Sequence, residues 1–254
     1  MLSRQTIDKL YRLKLPAMAE SYQRFSEEPE SLALSFDDRV GIMVDAEWTA
    51  KQNKKISRLI KSSGIVQEAS LENLDFRLDR RLNRDLIATL SEGSWITNHR
   101  NLLITGKTGV GKSYLLSALG NKACRLGYTV NYVRLSRLLI DLEIAKMEGT
   151  YNKFLNQLSK LSLLMVDDFG LAEITPGESR EILEVIDGRL HTGSLILASQ
   201  KPVKEWYPLF VDPTLADACL DRLVHNSYRI ELEGDSMRRW MAMEEKEKEK
   251  KSDD

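Results

Sequence analysis

One segment of eight residues constrains the fold of this 254-residue chain more than any other. Residues 106–113 read Gly-Lys-Thr-Gly-Val-Gly-Lys-Ser, which matches the pattern G-x-x-x-x-G-K-[ST] at every fixed position. An apolar run precedes the segment and a helical pattern follows it. A glycine-rich turn between a strand and a helix lets consecutive backbone N–H groups converge on a phosphate. The segment therefore predicts a nucleotide-binding loop.

The side chains of this loop have separate chemical roles. Lys112 neutralises phosphate charge, and the Ser113 hydroxyl is a ligand for Mg²⁺. The alternative interpretation is a glycine-rich turn that opens an ordinary helix, and the full match between a strand and a helix argues against it. The residues predicted to bind the nucleotide are those of the segment and the next residue: Gly106, Lys107, Thr108, Gly109, Val110, Gly111, Lys112, Ser113 and Tyr114.

Strand patterns alternate with helix patterns from about residue 100 onward, which predicts an α/β fold with a five-stranded parallel sheet. Most of the strand patterns are nearly continuous apolar runs, as in a sheet covered on both faces. The predicted strands are Asn101–Thr105, Thr129–Leu135, Leu161–Asp167, Ser194–Ser199 and Tyr228–Glu233. We expect a nucleotide-binding domain over 99–240 and a charged, disordered tail over 241–254.

The first part of the chain is predicted to be helical, with a small domain over 1–65 and a connecting segment over 66–98. Ser35 and Asp38 form a capping pattern for a helix that runs towards Lys61. Apolar residues at helical spacing predict a packing face on this helix. They are Phe36, Val40, Met43, Val44 and Trp48.

The second half of the same helix carries a basic stretch that contains no acidic residue. The stretch consists of Lys51, Lys54, Lys55, Arg58 and Lys61. Such a stretch is either a solvated helix face or a contact for DNA phosphates or a partner protein. The sequence alone does not choose between these interpretations.

Composition excludes several classes of protein. There is no run of about 20 apolar residues and no signal-peptide pattern, so we expect a cytoplasmic protein without a membrane partner. Cys124 and Cys219 are the two cysteines, and their spacing fits neither a disulfide framework nor a zinc site. The net charge of −1 means that any contact with nucleic acid depends on local basic patches.

Two carboxylates end the third predicted strand, where the carboxyl edge of the sheet would place them beside the phosphate loop. Asp167 is expected to hold Mg²⁺ through water, and Asp168 to polarise the attacking water. The next strand ends in Ser199 and Gln200, either of which is a candidate to hold that water or sense the γ-phosphate. Arg222 ends a predicted helix and is expected either to pair within its own fold or to reach a neighbouring subunit's nucleotide.

Several motifs together resemble the IstB-type helper ATPases of insertion-sequence transposition. They are Phe169-Gly170-Leu171 after the two carboxylates, Ser199-Gln200, the block 212–226, Ser236-Met237-Arg238, and Leu-Pro-Ala-Met-Ala-Glu at 15–20. The likeness covers nearly the whole chain. It implies a P-loop NTPase of the AAA+ class, similar to DnaC helicase loaders and the DnaA initiator. It also implies an ATP-dependent oligomer, with Mg²⁺, that binds and deforms duplex DNA and recruits or stimulates a transposase.

The resemblance assigns roles at matching positions. It makes Arg222 an arginine finger that acts on the neighbouring subunit, Ser199-Gln200 the first sensor and Arg238 a second sensor. Two departures limit this transfer. Asp168 replaces the usual glutamate, which implies slow hydrolysis, and about twenty residues follow the last strand, which implies a reduced or absent lid.

The segment between the second and third strands is where initiator-type relatives carry an additional helix. Its basic and aromatic residues are candidates for DNA contact, although a solvated helix face explains each of them equally well. The candidates are Arg137, Lys146, Tyr151 and Lys153.

Two other functions remain as alternatives. A replicative helicase loader would have a protein rather than target DNA as its defining partner. A small-molecule P-loop kinase or a GTPase is disfavoured because residues 121–124 lack the final Asp of the guanine-recognition motif and no Arg-rich lid follows the sheet.

Overall fold

The computed structural model describes residues 2–28, 33–76 and 81–237. Its Cα positions group into two compact units, Met1–Arg58 and Leu59–Asp254. The predicted tail, 241–254, and Arg238 lie outside the described residues. No helix in the described ranges is both long enough and apolar enough to cross a lipid bilayer.

The first unit is helical. It contains α1 (Leu2–Arg12), α2 (Pro16–Glu27) and most of α3 (Phe36–Ser62). Helices α1 and α2 pack against each other. The predicted cap of α3 is confirmed, because the Ser35 hydroxyl accepts a hydrogen bond from the Asp38 N–H at 3.1 Å and donates one to the Asp38 carboxylate at 2.6 Å. This arrangement satisfies a backbone donor that the first turn would otherwise leave unpaired.

The predicted packing face of α3 is only partly buried. Met43 is buried and Val40 is half-buried. In contrast, Phe36, Val44 and Trp48 are 73%, 50% and 66% exposed. The expectation that all five residues pack is therefore wrong for three of them. Helical spacing places apolar residues on one face, but a buried face also needs another element to cover it.

The second unit contains a sheet of five parallel strands in the order β2-β3-β4-β1-β5. All five predicted strands are confirmed, with small differences at their ends. The strands are β1 (Asn101–Gly106), β2 (Val130–Arg134), β3 (Leu163–Phe169), β4 (Ser194–Ser199) and β5 (Ser227–Leu232). Parallel strands require crossover connections, which the helices of this unit supply.

Two apolar clusters cover the two faces of the sheet. The helices of this unit are α4 (Arg84–Ser91), α5 (Ser94–Thr97), α6 (Lys112–Arg125), α7 (Leu135–Met147), α8 (Tyr151–Ser159), α9 (Pro176–Asp187) and α10 (Pro213–Val224). Helices α4, α5 and α6 contribute to one cluster, and α7 to α10 contribute to the other. Residues 66–98, predicted to connect two domains, supply buried side chains to the first cluster, including Leu74, Leu90 and Trp95.

Capping side chains define where the helices beside the sheet begin. Thr175 and Glu178 form a capping box at α9, and the Asp212 side chain accepts hydrogen bonds from two backbone N–H groups at α10. Each cap contributes about 1 kcal/mol to helix stability. Helix α10 lies in the connection from the carboxyl end of β4 to the start of parallel strand β5, which brings its last turn to the amino edge of the sheet.

Candidate nucleotide site

The phosphate loop joins β1 to α6, and carbonyl groups of the loop bind its lysine. Lys112 is only 9% exposed, and its ammonium group donates hydrogen bonds to the carbonyl oxygens of Gly106 at 2.6 Å and Lys107 at 2.8 Å. Burial lowers the pKa of Lys112, and the nearby carboxylates of Asp167 and Asp168 oppose that shift. The loop therefore concentrates a buried cation at the N-terminus of α6, where an anion binds favourably.

The segment after β5 lies directly on this loop. The Met237 N–H donates a hydrogen bond to the Gly109 carbonyl at 2.9 Å. A Cβ atom at Gly109 would lie 2.4 Å from the Ser236 hydroxyl oxygen, and one at Gly106 would lie 2.4 Å from the Leu232 carbonyl oxygen. Glycine is required at both positions because the chain passes too closely for a side chain. The role of Arg238 as a second sensor stays a prediction.

The predicted magnesium ligands are in contact with each other. The Ser113 hydroxyl donates a hydrogen bond to the Asp167 carboxylate at 2.9 Å, and Asp167 is 4% exposed. Hydroxyl and carboxylate oxygens beside a phosphate loop are the donors that Mg²⁺ prefers. These two residues fit the ion and would hold it, and the ion would supply positive charge that neutralises the charge developing on the phosphates.

Two residues of β2 contact the carboxylates of Asp167 and Asp168, and the sequence analysis did not identify them. The Tyr132 hydroxyl donates a hydrogen bond to Asp167 Oδ2 at 3.0 Å. The Arg134 guanidinium lies 3.6 Å from the Asp168 carboxylate. Burial and the nearby Asp167 carboxylate raise the pKa of Tyr132 to about 12. Strand alternation places residues 132 and 134 on one face, but their contact with the carboxylates also requires β2 to lie beside β3.

Asp168 adopts an unusual backbone conformation. Its φ of 60° lies in the left-handed region, and its N–H donates a hydrogen bond to Asp167 Oδ1 at 2.9 Å. The pairing of β3 with β4 is irregular between Val166 and Phe169. Such a bulge turns a side chain away from the regular alternation of the strand. Asp168 is thereby left partly exposed beside the phosphate loop, while Asp167 is buried.

The two sensor candidates at the end of β4 have different surroundings. Ser199 is fully buried, and its hydroxyl donates to the Phe169 carbonyl at 2.7 Å and accepts from the Lys201 N–H at 3.2 Å. Gln200 is exposed, and its side-chain oxygen accepts a hydrogen bond from the Thr108 hydroxyl at 2.7 Å. Gln200 is therefore the residue in direct contact with the phosphate loop, whereas Ser199 links β3 to β4.

Arg222 lies at the opposite edge of the sheet. Its Nε pairs with the Asp187 carboxylate, and another guanidinium nitrogen donates to the Ala218 carbonyl at 2.9 Å. It lines a cavity of about 300 Å³ together with Asn101, the first residue of β1. The phosphate loop begins at the other end of this six-residue strand, roughly 17 Å away at ~3.3 Å per residue. Arg222 does not reach the nucleotide loop of its own chain.

The four candidates for DNA contact have different surroundings. Lys146 pairs with the Glu181 carboxylate, to which the Tyr151 hydroxyl also donates a hydrogen bond at 2.7 Å. Arg137 is exposed and pairs with Asp141 on its own helix at 2.9 Å. Lys153 is exposed and forms no ion pair with any residue that the structure describes. The structure therefore leaves Arg137 and Lys153 as the more accessible cations, and all four roles stay predictions.

Known proteins resemble this chain over most of its length. A family model described as IstB-like ATP binding protein matches residues 8–245. The insertion sequence ATP-binding protein y4pL of Sinorhizobium fredii is 38% identical over 239 residues, which are 94% of this chain and 98% of that protein. The ATP-binding protein of insertion sequence IS1162 from Pseudomonas fluorescens is 42% identical over 203 residues, 80% of this chain and 88% of that protein.

A solved structure supports the fold. The structure of AMPPCP-bound DnaA from Aquifex aeolicus matches with a TM-score of 0.57 and 26% identity over 73% of this chain and 56% of that chain. The match thus spans little more than half of the DnaA structure. Together with the five-stranded parallel sheet, it confirms the predicted α/β fold of the AAA+ type.

Proposed function

This chain belongs to the IstB-like ATP-binding protein family, and from that premise we propose that it is a DNA-remodelling ATPase of transposition. In this proposal the protein hydrolyses ATP with Mg²⁺, assembles on duplex DNA, deforms it, and recruits or stimulates a partner transposase. The names of its relatives refer to insertion sequences, which favours a transposase over a replicative helicase as the partner. The protein would carry out this function in the cytoplasm, where the DNA is accessible.

The contacts around the loop support a division of labour in hydrolysis. Lys112 and the backbone N–H groups of the loop would hold the phosphates, and Ser113 with Asp167 would hold Mg²⁺. Asp168 is exposed enough to meet a water molecule, which it would orient for attack on the γ-phosphate. Gln200, which contacts Thr108 of the loop, would sense the γ-phosphate.

The position of Arg222 is the observation that carries the oligomeric part of the proposal. An arginine at the amino edge of the sheet is of no use to the nucleotide at the carboxyl edge of the same chain. It is partly exposed and held in place by Asp187, so a neighbouring subunit could present its nucleotide to it. A guanidinium supplied in this way stabilises the charge that develops on the transferring phosphoryl group.

Two substitutions in adjacent elements test whether binding and hydrolysis separate. Lys112→Ala removes the cation of the loop and should abolish binding of a fluorescent ATP analogue. Asp168→Asn retains Asp167 and should bind the analogue normally while its turnover falls by two orders of magnitude or more, as expected for loss of a group that positions the nucleophile. Equal loss of nucleotide affinity in both variants would contradict the assigned roles.

Sedimentation of the same proteins with duplex DNA tests whether they assemble on it. We expect large complexes of the unmodified chain with ATP or AMPPCP, and none with ADP, because only the triphosphate provides the γ-phosphate contact to a neighbour. Asp168→Asn should retain the complexes and Lys112→Ala should lose them. A chain that stays monomeric with DNA and AMPPCP would overturn the proposed assembly.

A further inference from the structure

The basic stretch of α3 forms an exposed surface that the nucleotide site does not use. Lys51, Lys54, Lys55 and Arg58 are all exposed, and their spacing of three, four and seven residues places them on one side of the helix. We call these four residues the basic face. Lys51 lies 3.6 Å from the Glu47 carboxylate. The other three residues pair with no carboxylate in the part of the chain that the structure describes.

Beyond Glu47, the sequence around the basic face contains no acidic residue. Three cations on other helices, Arg137, Lys146 and Arg222, pair with Asp or Glu side chains, whereas Lys153 pairs with none that the structure describes. The chain has 38 acidic residues, yet none occurs among the 20 residues from Trp48 to Gln67. Like charges three or four residues apart destabilise a helix. The positive charges of the basic face therefore repel each other, and a carboxylate between them on the helix would offset this repulsion.

We propose that the basic face of α3 contacts the phosphates of duplex DNA. The inference rests on the proposed function, and it adds a surface that lies outside the AAA+ sheet unit. Seven residues of helix span about 10 Å, and duplex DNA presents one phosphate charge per ~1.7 Å of its axis. An array of cations of this length matches a regular polyanion. A folded protein partner would have to supply several unpaired carboxylates at the same spacing.

The test compares two variants of the full chain that lose the same charge. In the first, Lys54, Lys55 and Arg58 are all changed to Gln, which keeps helix propensity and removes three charges. In the control, Arg4, Lys9 and Arg12, which are exposed on α1, are changed to Gln. Affinity for a fluorescent duplex is measured with AMPPCP between 50 and 200 mM salt. Circular dichroism melting establishes that both variants fold.

The slope of log affinity against log salt is negative, and each lost phosphate contact reduces its magnitude by about 0.9. Three lost contacts change the slope by about 2.7, so the unmodified chain should lose about 40-fold more affinity across the fourfold salt range than the basic-face variant. The control should keep the slope of the unmodified chain. If the unmodified chain binds DNA and both variants bind with its slope, the inference is wrong while the proposed function stands.

Two other results would also overturn the inference. If the basic-face variant binds DNA normally but no longer supports a response of the transposase, the surface serves a protein partner instead. If the unmodified chain binds no duplex under any of these conditions, the proposed function fails and the inference fails with it. A reduced slope confined to the basic-face variant supports the inference.

Discussion

Replacing Ser199 by Ala should destabilise the sheet unit rather than act directly on the nucleotide. The Ser199 hydroxyl is fully buried, donates to the Phe169 carbonyl at 2.7 Å and accepts from the Lys201 N–H at 3.2 Å. Alanine leaves both backbone groups without this partner. Loss of a buried partner costs about 1–3 kcal/mol for each group left unpaired. Because Lys201 lies at a loop where water can replace part of the loss, we expect about 2 kcal/mol in total.

Thermal unfolding followed by circular dichroism measures this effect. In a unit of this size, 2 kcal/mol lowers the melting temperature by about 4–8 °C. The matched variant is Gln200→Ala, which removes an exposed side chain next to Ser199 and should change the melting temperature by less than about 2 °C. Gln200→Ala should instead lose ATP turnover with nucleotide affinity retained. The reasoning is refuted if Ser199→Ala melts like the unmodified chain, or if Gln200→Ala is the variant that loses stability.

Three further predictions concern separate parts of the molecule. Tyr132→Phe removes one of three hydrogen bonds to the Asp167 carboxylate, so turnover should fall about tenfold, as expected for ~1.5 kcal/mol. Binding of an ATP analogue in EDTA should stay unchanged. An unaltered turnover would exclude Tyr132 as a positioning residue. Arg222→Ala should lower DNA-stimulated turnover by about 10³-fold or more. Mixing this variant with Lys112→Ala should restore activity that neither variant has alone. Mixtures that co-assemble but stay inactive would exclude an action of Arg222 on a neighbouring subunit. Burial raises the pKa of the Cys124 thiol to about 11. Alkylation of this thiol at pH 7.5 should therefore be at least about a hundredfold slower in the native chain than in urea. Rapid labelling of the native chain would show that the core around Cys124 opens.

Local patterns in the sequence predicted much of the fold and part of the site. The phosphate loop, the five strands and the caps of the helices each depend on residues that are close together in the chain. Glycine at a left-handed turn, apolar runs in buried strands and a Ser or Thr before a helix are readable because the physical cause is local. The same reasoning located Asp167 and Asp168, since parallel strands bring their carboxyl ends to one edge of a sheet.

Strand order and side-chain packing decided the rest. The contacts of Tyr132 and Arg134 with the two carboxylates require β2 to lie beside β3, and no local pattern specifies that neighbour. Packing at the end of β4 determines that Ser199 is buried while Gln200 contacts the phosphate loop. The distance of Arg222 from its own phosphate loop depends on the direction of α10. Exposure of three apolar residues on α3 also follows from tertiary structure, because helical spacing defines a face while only another packed element can remove that face from water.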